Sequence, residues 1–559
     1  MASEAAANTD PRIVHAQALK SPYTPLSIYN TLIRLYSTTP YSLRLFSHLP
    51  FSPTVVSWTA LISANSSSPL SLRLFLSMLR NSHLPHPGTL ASLFKTAASV
   101  SALLFGLSLH SLSIKLSLHS HPFTASSLVN FYAKCRLPHD ACKVFDEITD
   151  KDEVCYASAI VGLAQNSRPV EALSLFAEMK RYNVVSTVHS IAGALRAAAE
   201  MAALEQCSII HGHALVTGFD TDVVVGSSLI DGYGKSGLIM DARQVFDESL
   251  PSLNVVGWNA MMSGYAQQGD NESVLELCNS MEARGFVPDE FSFLAILTAF
   301  RNAGLVAETK KWLSRMKNDY GLEPRLEHYT CLVGAMAQVG QLEEAESVAM
   351  TMPHKPDAAV WRALLTACAS HGAADMASKM SRKLLALDPL DESAYSMILN
   401  VLSAAGRWNE VAEVRTMMKN KWVKKEGARS WIEVKGEVHV FMAGDRKHEL
   451  TSEIYRKLGE LMEEIEKLGY TPVFDHGGER EKREAHWYHS EKLAVAFGVV
   501  SEAAPPGKAL RIVKNLRICR DCHEAFKYFC RVIDREIIVR DVNRYHRFFN
   551  GRCTCGDNW

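Results

Sequence analysis

The chain repeats itself. VVSWTALIS from Val55, VVGWNAMMSGYAQQG from Val255 and AAVWRALLTACASHG from Ala358 are versions of one phrase. So are SSLVNFYAKC from Ser126 and SSLIDGYGKSG from Ser227, and likewise ACKVFDEI from Ala141 and ARQVFDES from Ala242. The units recur about 31 to 36 residues apart, the period of helix-turn-helix repeats. Within each, apolar residues fall at helical spacing and a Gly or small polar residue separates two helices. One hairpin cannot bury its own apolar face, so the hairpins must stack on their neighbours, and the expected architecture is an α-solenoid.

The register starts at Leu26 and closes successive units at Thr54, His86, His121, Asp152, Thr187, Asp222, Asn254, Asp289, Arg325 and Asp357. Two more divergent hairpins follow, Ala358–Asp391 and Glu392–Lys425. After Lys425 the pattern changes. Ser430 to Phe441 alternates around Lys435-Gly436, which predicts a β-hairpin. Thr451 to Leu468 predicts an amphipathic helix with Ile454, Leu458, Leu461, Met462 and Ile465 on one face. Leu510–Val513 and Glu536–Val539 predict strands. The organisation is therefore an N-terminal segment (1–25), a repeat array (26–357), two further helical hairpins (358–425) and a small mixed α/β domain (426–559).

That last domain carries the chemistry. His489-Ser490-Glu491 is followed, after 27 residues, by Cys519-Arg520-Asp521-Cys522. His489, Cys519 and Cys522 supply three zinc ligands and leave a position for water, as a catalytic site requires. Glu491 stands where the proton shuttle of a nucleobase deaminase stands, serving attack of water on C4 of cytosine. His523, His546, Cys553 and Cys555 form a second set, four ligands with no vacancy, which reads as a structural zinc. The competing reading is a structural zinc ribbon without chemistry. Five of the 12 cysteines fall in the last 41 residues, which favours metal over disulfides. The net charge of −1 gives no argument for nucleic acid, yet residues 508–559 hold 12 Lys/Arg against 6 Asp/Glu. The tail arginines Arg540, Arg544, Arg547 and Arg552 belong either on RNA phosphates or in pairs with Asp534, Glu536 and Asp541. His211 and His213 read as surface or packing residues.

The repeats lack the tetratricopeptide signature and resemble plant pentatricopeptide (PPR) repeats, in the form that cycles long, short and standard units. His489-Ser-Glu-Lys-Leu-Ala-Val-Ala-Phe-Gly498, Leu510 to Cys519, Asp521 to Lys527, Ile537 to His546 and Cys553-Thr-Cys-Gly-Asp-Asn-Trp559 resemble the DYW domain of such proteins. Ala358 to Lys425 resembles their paired E motifs. The resemblance implies C-to-U editing of organellar RNA by zinc-dependent hydrolytic deamination. It implies two Zn2+ ions: a catalytic one on His489, Cys519 and Cys522 with Glu491 as proton shuttle, and a structural one on His523, His546, Cys553 and Cys555. Three positions depart from the family pattern: Asn558 for Tyr, Gly427-Ala428 for Pro-Gly, and Arg547 for the second of two adjacent His.

The resemblance also implies one base per repeat, read by an early residue of the unit together with its last residue. The informative pairs are Ser126 with Asp152, Ser227 with Asn254, Asn259 with Asp289, and Thr330 with Asp357. By the family's code they imply G, A, U and G, hence a target G-n-n-A-U-n-G-n-n-n-C. The bland reading of these side chains is that they are solvated helix-start residues. The implied partners are single-stranded organellar RNA and accessory editing factors, with no DNA. No apolar run reaches the ~18 residues of a membrane span, so no membrane partner is expected. The N-terminus holds Glu4 and Asp10 and shows no evident presequence. The expected location is the mitochondrion, with the chloroplast as the alternative. Two other functions fit the pattern: a non-catalytic RNA-binding adaptor that recruits another deaminase or processing factor, and a protein-binding scaffold with structural zinc.

Overall fold

The computed structural model describes residues 12, 15, 16, 25–37, 40–50, 52–423, 428–472, 487–503, 509–542 and 544–557. Gly427 and Asn558, two of the departures noted above, lie outside the described residues. The chain divides into two compact units, Met1–Ala197 and Ala198–Trp559.

The first contains α1 (Leu26–Leu35), α2 (Pro40–Ser47), α3 (Val55–Ala64), α4 (Leu70–Arg80), α5 (Pro87–Ser99), α6 (Leu103–Lys115), α7 (Pro122–Lys134), α8 (Pro138–Glu147), α9 (Glu153–Gln165) and α10 (Pro169–Arg181). Next in the chain come α11 (Val188–Met201), α12 (Leu204–Thr217), α13 (Val223–Lys235), α14 (Ile239–Ser249), α15 (Val255–Gln268) and α16 (Asn271–Ala283). The second unit continues with α17 (Glu290–Asn302), α18 (Val306–Asn318), α19 (Leu326–Gln338), α20 (Leu342–Thr351), α21 (Ala358–His371), α22 (Ala374–Leu387), α23 (Glu392–Ala404) and α24 (Trp408–Asn420). Odd-numbered helices open the hairpins and even-numbered helices close them. The helical-repeat expectation holds.

The repeated phrases have a physical basis. The residue that closes one unit caps the first helix of the next. Asp152 accepts from the Cys155 amide at 2.8 Å, Asn254 from Val256 at 3.0 Å, and Asp357 from Ala359 and Val360 at 3.0 and 3.1 Å. Each such cap is worth about 1 kcal/mol, because it satisfies amides that have no partner in the first turn. The Phe of the V-F-D-E phrase then packs on the aromatic residue of the following helix. Phe145 meets Tyr156 at 5.2 Å and Phe246 meets Trp258 at 4.9 Å, both edge-on. A third device recurs three units apart: His110 Nδ1 lies 2.7 Å from the Tyr132 hydroxyl and His211 Nδ1 lies 2.9 Å from that of Tyr233. His211 is thus a hydrogen-bonded packing residue.

The C-terminal part of the second unit is a mixed α/β layer. β1 (Arg429–Val434) and β2 (Glu437–Met442) form the expected hairpin, and α25 (Thr451–Lys467) buries the five apolar residues read from its periodicity. α26 (Ser490–Val500), β3 (Leu510–Lys514), α27 (Arg520–Val532), β4 (Ile537–Arg540), β5 (Tyr545–Phe549) and β6 (Arg552–Cys553) complete it. The strands are ordered β2-β1-β3-β4-β5-β6, with β3 and β4 parallel around the α27 crossover and the other pairs antiparallel. Strand pairing sets two faces, since side chains alternate. Ser430, Lys514, Val539 and His546 fall on one face, with the core residues Leu493, Phe497, Phe526 and Phe529 of α26 and α27. Trp431, Val513, Arg540 and Tyr545 fall on the other. Among the described residues, no helix is long and apolar enough to cross a membrane.

Candidate active site and base-reading positions

Two helix starts converge on one cluster. His489 is the residue before α26 and Cys519 the residue before α27, with Cys522 one turn on. His489 Nδ1 lies 3.3 Å from Cys522 Sγ and 3.5 Å from Cys519 Sγ. The donor atoms of the three all lie within 4.8 Å of one another. Ligands on a tetrahedral zinc stand about 3.3–3.8 Å apart, so the spacing fits such an ion. Two helix N-termini favour negative charge at the same place. Hydrogen bonding from Cys522 and His489 outweighs burial and holds the Cys519 thiol well below its usual range.

Glu491 lies in the first turn of α26 and is fully buried. It accepts from the Ser490 hydroxyl at 3.1 Å and forms an ion pair with Lys514 of β3. Burial alone would raise its pKa; the charges of Lys514 and His489 override this and hold it at about 2. Beside it, Lys492 pairs with Asp521 at 2.6 Å, and Asp521 accepts from the Tyr470 hydroxyl at 2.6 Å. A buried ion pair is expensive unless its remaining lone pairs are satisfied, and Tyr470 supplies that bond.

The second cluster joins α27 to the last strands. His523 Nε2 lies 3.2 Å from Cys555 Sγ, and Cys553 Sγ lies 3.7 Å from His546 Nδ1. All four donors, with His546 fully buried, lie within 4.8 Å of one another. His546 Nε2 faces Asp541 at 3.3 Å, the kind of carboxylate partner that orients a ligating imidazole. Hydrogen bonds from Cys553, His523 and His546 pull Cys555 down to about 2 against the opposing effect of burial.

The sequence missed Lys492, Lys514 and Tyr470, and it missed the parts that Asp521 and Asp541 play beside the two clusters. A signal existed for Lys514: alternation along β3 puts it on the same side as Leu510 and Ile512, and a Lys there must find a carboxylate. Of the tail arginines, Arg547 pairs with Glu536 at 2.7 Å, as one of the two readings had it. Arg540 and Arg544 follow neither: both donate to backbone carbonyls.

The base-reading candidates occupy equivalent places. Ser126, Ser227, Asn259 and Thr330 sit at the fifth residue of α7, α13, α15 and α19, and their partners cap the next odd-numbered helix. The helix-start reading is therefore physically correct for the partners. One pair is in direct contact: Asn259 Nδ2 donates to Asp289 Oδ1 at 2.9 Å, and Ser292 Oγ donates to Asn259 Oδ1 at 2.6 Å. Thr330 and Ser227 donate their hydroxyls to carbonyls one turn back, at 2.8 and 2.7 Å, which leaves their oxygens free to accept. Ser126 and Ser227 are mostly buried.

Fold and site together define a helical-repeat protein with a nucleic-acid-deaminase-type module at its end. Residues 469–559 match the DYW family of nucleic acid deaminases, 371–433 the E motif, 253–302 the PPR repeat family, and 123–152, 154–184, 227–250 and 327–355 the PPR repeat. The chain is 38% identical over 512 residues to pentatricopeptide repeat-containing protein At4g33170 of Arabidopsis thaliana, covering 90% of this chain but about half (51%) of that protein. It is 36% identical over 524 residues to At2g03880, mitochondrial (92% and 82% covered), and 34% identical over 518 residues to At3g49170, chloroplastic (90% and 61%), both of the same plant. The crystal structure of the pentatricopeptide repeat protein PPR10 in complex with an 18-nt psaJ RNA element shares the fold, with a TM-score of 0.53 at 17% identity, over 73% of this chain and 64% of that one. The chain belongs to the pentatricopeptide repeat-containing family and carries an E motif and a DYW deaminase domain.

Proposed function

We propose that this protein binds single-stranded organellar RNA and converts one cytidine to uridine by zinc-dependent hydrolytic deamination. The observation that carries the reading is the convergence of His489, Cys519 and Cys522 within one ligand's reach, with Glu491 two residues from the first of them. A zinc ion held by these three residues supplies Lewis acidity toward water. The protein's own groups do the rest. Glu491 takes a proton from water and gives it to the cytosine ring nitrogen, then takes a second proton from the hydroxyl now on C4 and gives it to the amine, which leaves as ammonia. Its pairing with Lys514 keeps it ionised and so able to accept the first proton. His523, His546, Cys553 and Cys555 hold a second zinc that ties β5 and the last turns to α27.

The repeat pairs choose the site. Ser126/Asp152, Ser227/Asn254, Asn259/Asp289 and Thr330/Asp357 read G, A, U and G, and the target is G-n-n-A-U-n-G-n-n-n-C. The names of two relatives, one mitochondrial and one chloroplastic, support an organellar location, with the mitochondrion as our choice. Accessory editing factors are further partners.

The adaptor reading draws on one observation: Glu491 is fully buried and ion-paired. The test is organellar cDNA sequencing in a line lacking the protein, rescued with wild type or Glu491→Ala. Restoration by wild type alone, at a C preceded by the predicted bases, establishes the deaminase. Equal restoration by Glu491→Ala leaves an adaptor.

A further inference from the structure

The sheet face turned away from α26 and α27 is occupied by the protein's own repeats. Trp431 Nε1 donates to the Met201 carbonyl at 2.9 Å, and Arg540 donates to those of Ala199 and Glu200 at 3.0 and 3.3 Å. Arg511 donates to the Ser236 carbonyl at 2.8 Å, and the Tyr545 hydroxyl donates to that of Lys235. Arg544, just before β5, donates to the carbonyl of Asn302. These acceptors lie at the C-terminal ends of α11, α13 and α17, where the last helix carbonyls lack the amide of a following turn and carry negative charge, although that of Ala199 also accepts from the Ala202 amide. The complement is also present: Glu433 accepts from the amides of Glu205 and Gln206, at the start of α12, at 2.7 and 2.9 Å. Cations thus meet helix C-termini and a carboxylate meets a helix N-terminus.

Gly237 fixes the fit. Its φ is +77°, and a Cβ there would lie 3.0 Å from the Tyr545 ring. Docking leaves Ser227 open, because it lies toward the other end of α13. Ser227 and Ser236 are nine residues apart on α13, about 13 Å along the axis.

We propose that this face is a docking seat and that Trp431, Glu433, Arg511, Arg540, Arg544 and Tyr545 are positioning residues. The inference rests on the reading proposed above. By seating the deaminase module on the end of α13, whose other end carries Ser227, and on α11 and α17 to either side, they fix the distance between the read sequence and the reacting cytidine. The seat spans the ends of α11, α13 and α17, so it matches only one spacing of those repeats.

The test uses the full chain with zinc. Gly237→Asn keeps a residue that tolerates positive φ but intrudes on Tyr545. Arg540→Glu with Arg544→Glu removes two donors, and Arg540→Lys with Arg544→Lys restores donors to the same carbonyls. Small-angle scattering reports docking without reference to activity: the Asn and Glu variants expand, and the Lys pair does not. Affinity for the target RNA is unchanged in all of them. Deamination at saturating RNA falls roughly a hundredfold in the released variants, as misplacement of a reacting group does. What remains spreads onto cytidines placed beside the target. Unchanged scattering in the Asn and Glu variants overturns the seat. Expansion with full, single-site deamination overturns the positioning role. If wild type itself deaminates nothing, the deaminase reading fails, and scattering still decides whether the module docks.

Discussion

Asn259→Thr is the sharpest probe of base reading, because it turns the Asn259/Asp289 pair into the chemistry of Thr330/Asp357. The Asn259 amide has two donors and two acceptor sites. Asp289 takes one donor and Ser292 fills one acceptor, so one N–H and one lone pair remain, side by side. That pair complements the adjacent acceptor and N–H of a uracil edge. A Thr hydroxyl at this place donates to the carbonyl one turn back, as Thr330 does to Leu326, and retains only acceptor character. The uracil acceptor then loses its partner on desolvation, at a cost of about 1–3 kcal/mol, or roughly 5- to 150-fold in Kd. The fold survives: Asp289 still caps α17 through Phe291 and Ser292 at 3.0 and 2.9 Å, and the lost Asn259–Asp289 bond costs about 1 kcal/mol. The assay is fluorescence anisotropy at one fixed salt concentration, on four target RNAs that differ only at the base assigned to this repeat. Wild type prefers U. The variant loses that preference and ranks G first. Equal weakening on all four RNAs, or a wild type indifferent to this base, refutes the reasoning.

Glu491→Gln removes the proton carrier while keeping its shape. Deamination is expected to fall by about 10²–10⁴-fold with RNA affinity unchanged, and a comparable rate would remove Glu491 from the chemistry. Cys553→Ser with Cys555→Ser is expected to lower zinc content, read by a chelating dye on the unfolded protein, by about one ion per chain while His489, Cys519 and Cys522 keep theirs; unchanged zinc content contradicts the second site. Gly106→Val drives a side chain into the Phe131 ring and is expected to destabilise the first unit by about 1–3 kcal/mol in urea unfolding. Glu346 pairs with Lys379 and Lys383 at 2.7 and 2.8 Å, and they hold its pKa below the usual carboxylate value although burial opposes them. A carboxyl lowered on folding contributes stability above its unfolded value of about 4.3 and loses it as pH falls toward the folded value. The stability gap between wild type and Glu346→Gln should therefore be full at neutral pH and close on acidification below about 4.3; a gap that persists at low pH excludes the ion pair as its cause.

Most of the repeat array was legible because its determinants are local. A unit ending in Asp, Asn or Thr caps the next helix, and the apolar spacing that marks each helix also defines the face it buries. The cluster of His489, Cys519 and Cys522 was legible in part for the same reason, since Cys519 and Cys522 lie one turn apart at a helix start. Lys514 and Lys492 were not. Their partners, Glu491 and Asp521, lie 23 and 29 residues away in the chain, and only sheet register and helix packing bring them together. β6 also went unread, because it is two residues long and has no alternation to count.

The tail arginines show where residue-type reasoning stops. A cation in a basic tail suggests a phosphate or a carboxylate, since those are the partners that side chains and ligands advertise. Arg540 and Arg544 instead meet carbonyls at helix ends. Every helix has such acceptors, whatever its sequence, so no composition or motif marks them. What does mark the contact is strand parity. Register puts Arg540 opposite Tyr545 and Val513 opposite Arg540, on the face that α26 and α27 leave uncovered. A sheet with Lys514 and His546 on one side and cations and aromatics on the other needs two partners, and here the helices supply one and the repeat array the other. The face that gives RNA-binding proteins their basic character is, in this protein, engaged from within, so neutralising Arg540 and Arg544 should leave the salt dependence of RNA binding unaltered. A shallower salt slope in the Arg540→Gln, Arg544→Gln variant would return these residues to the RNA.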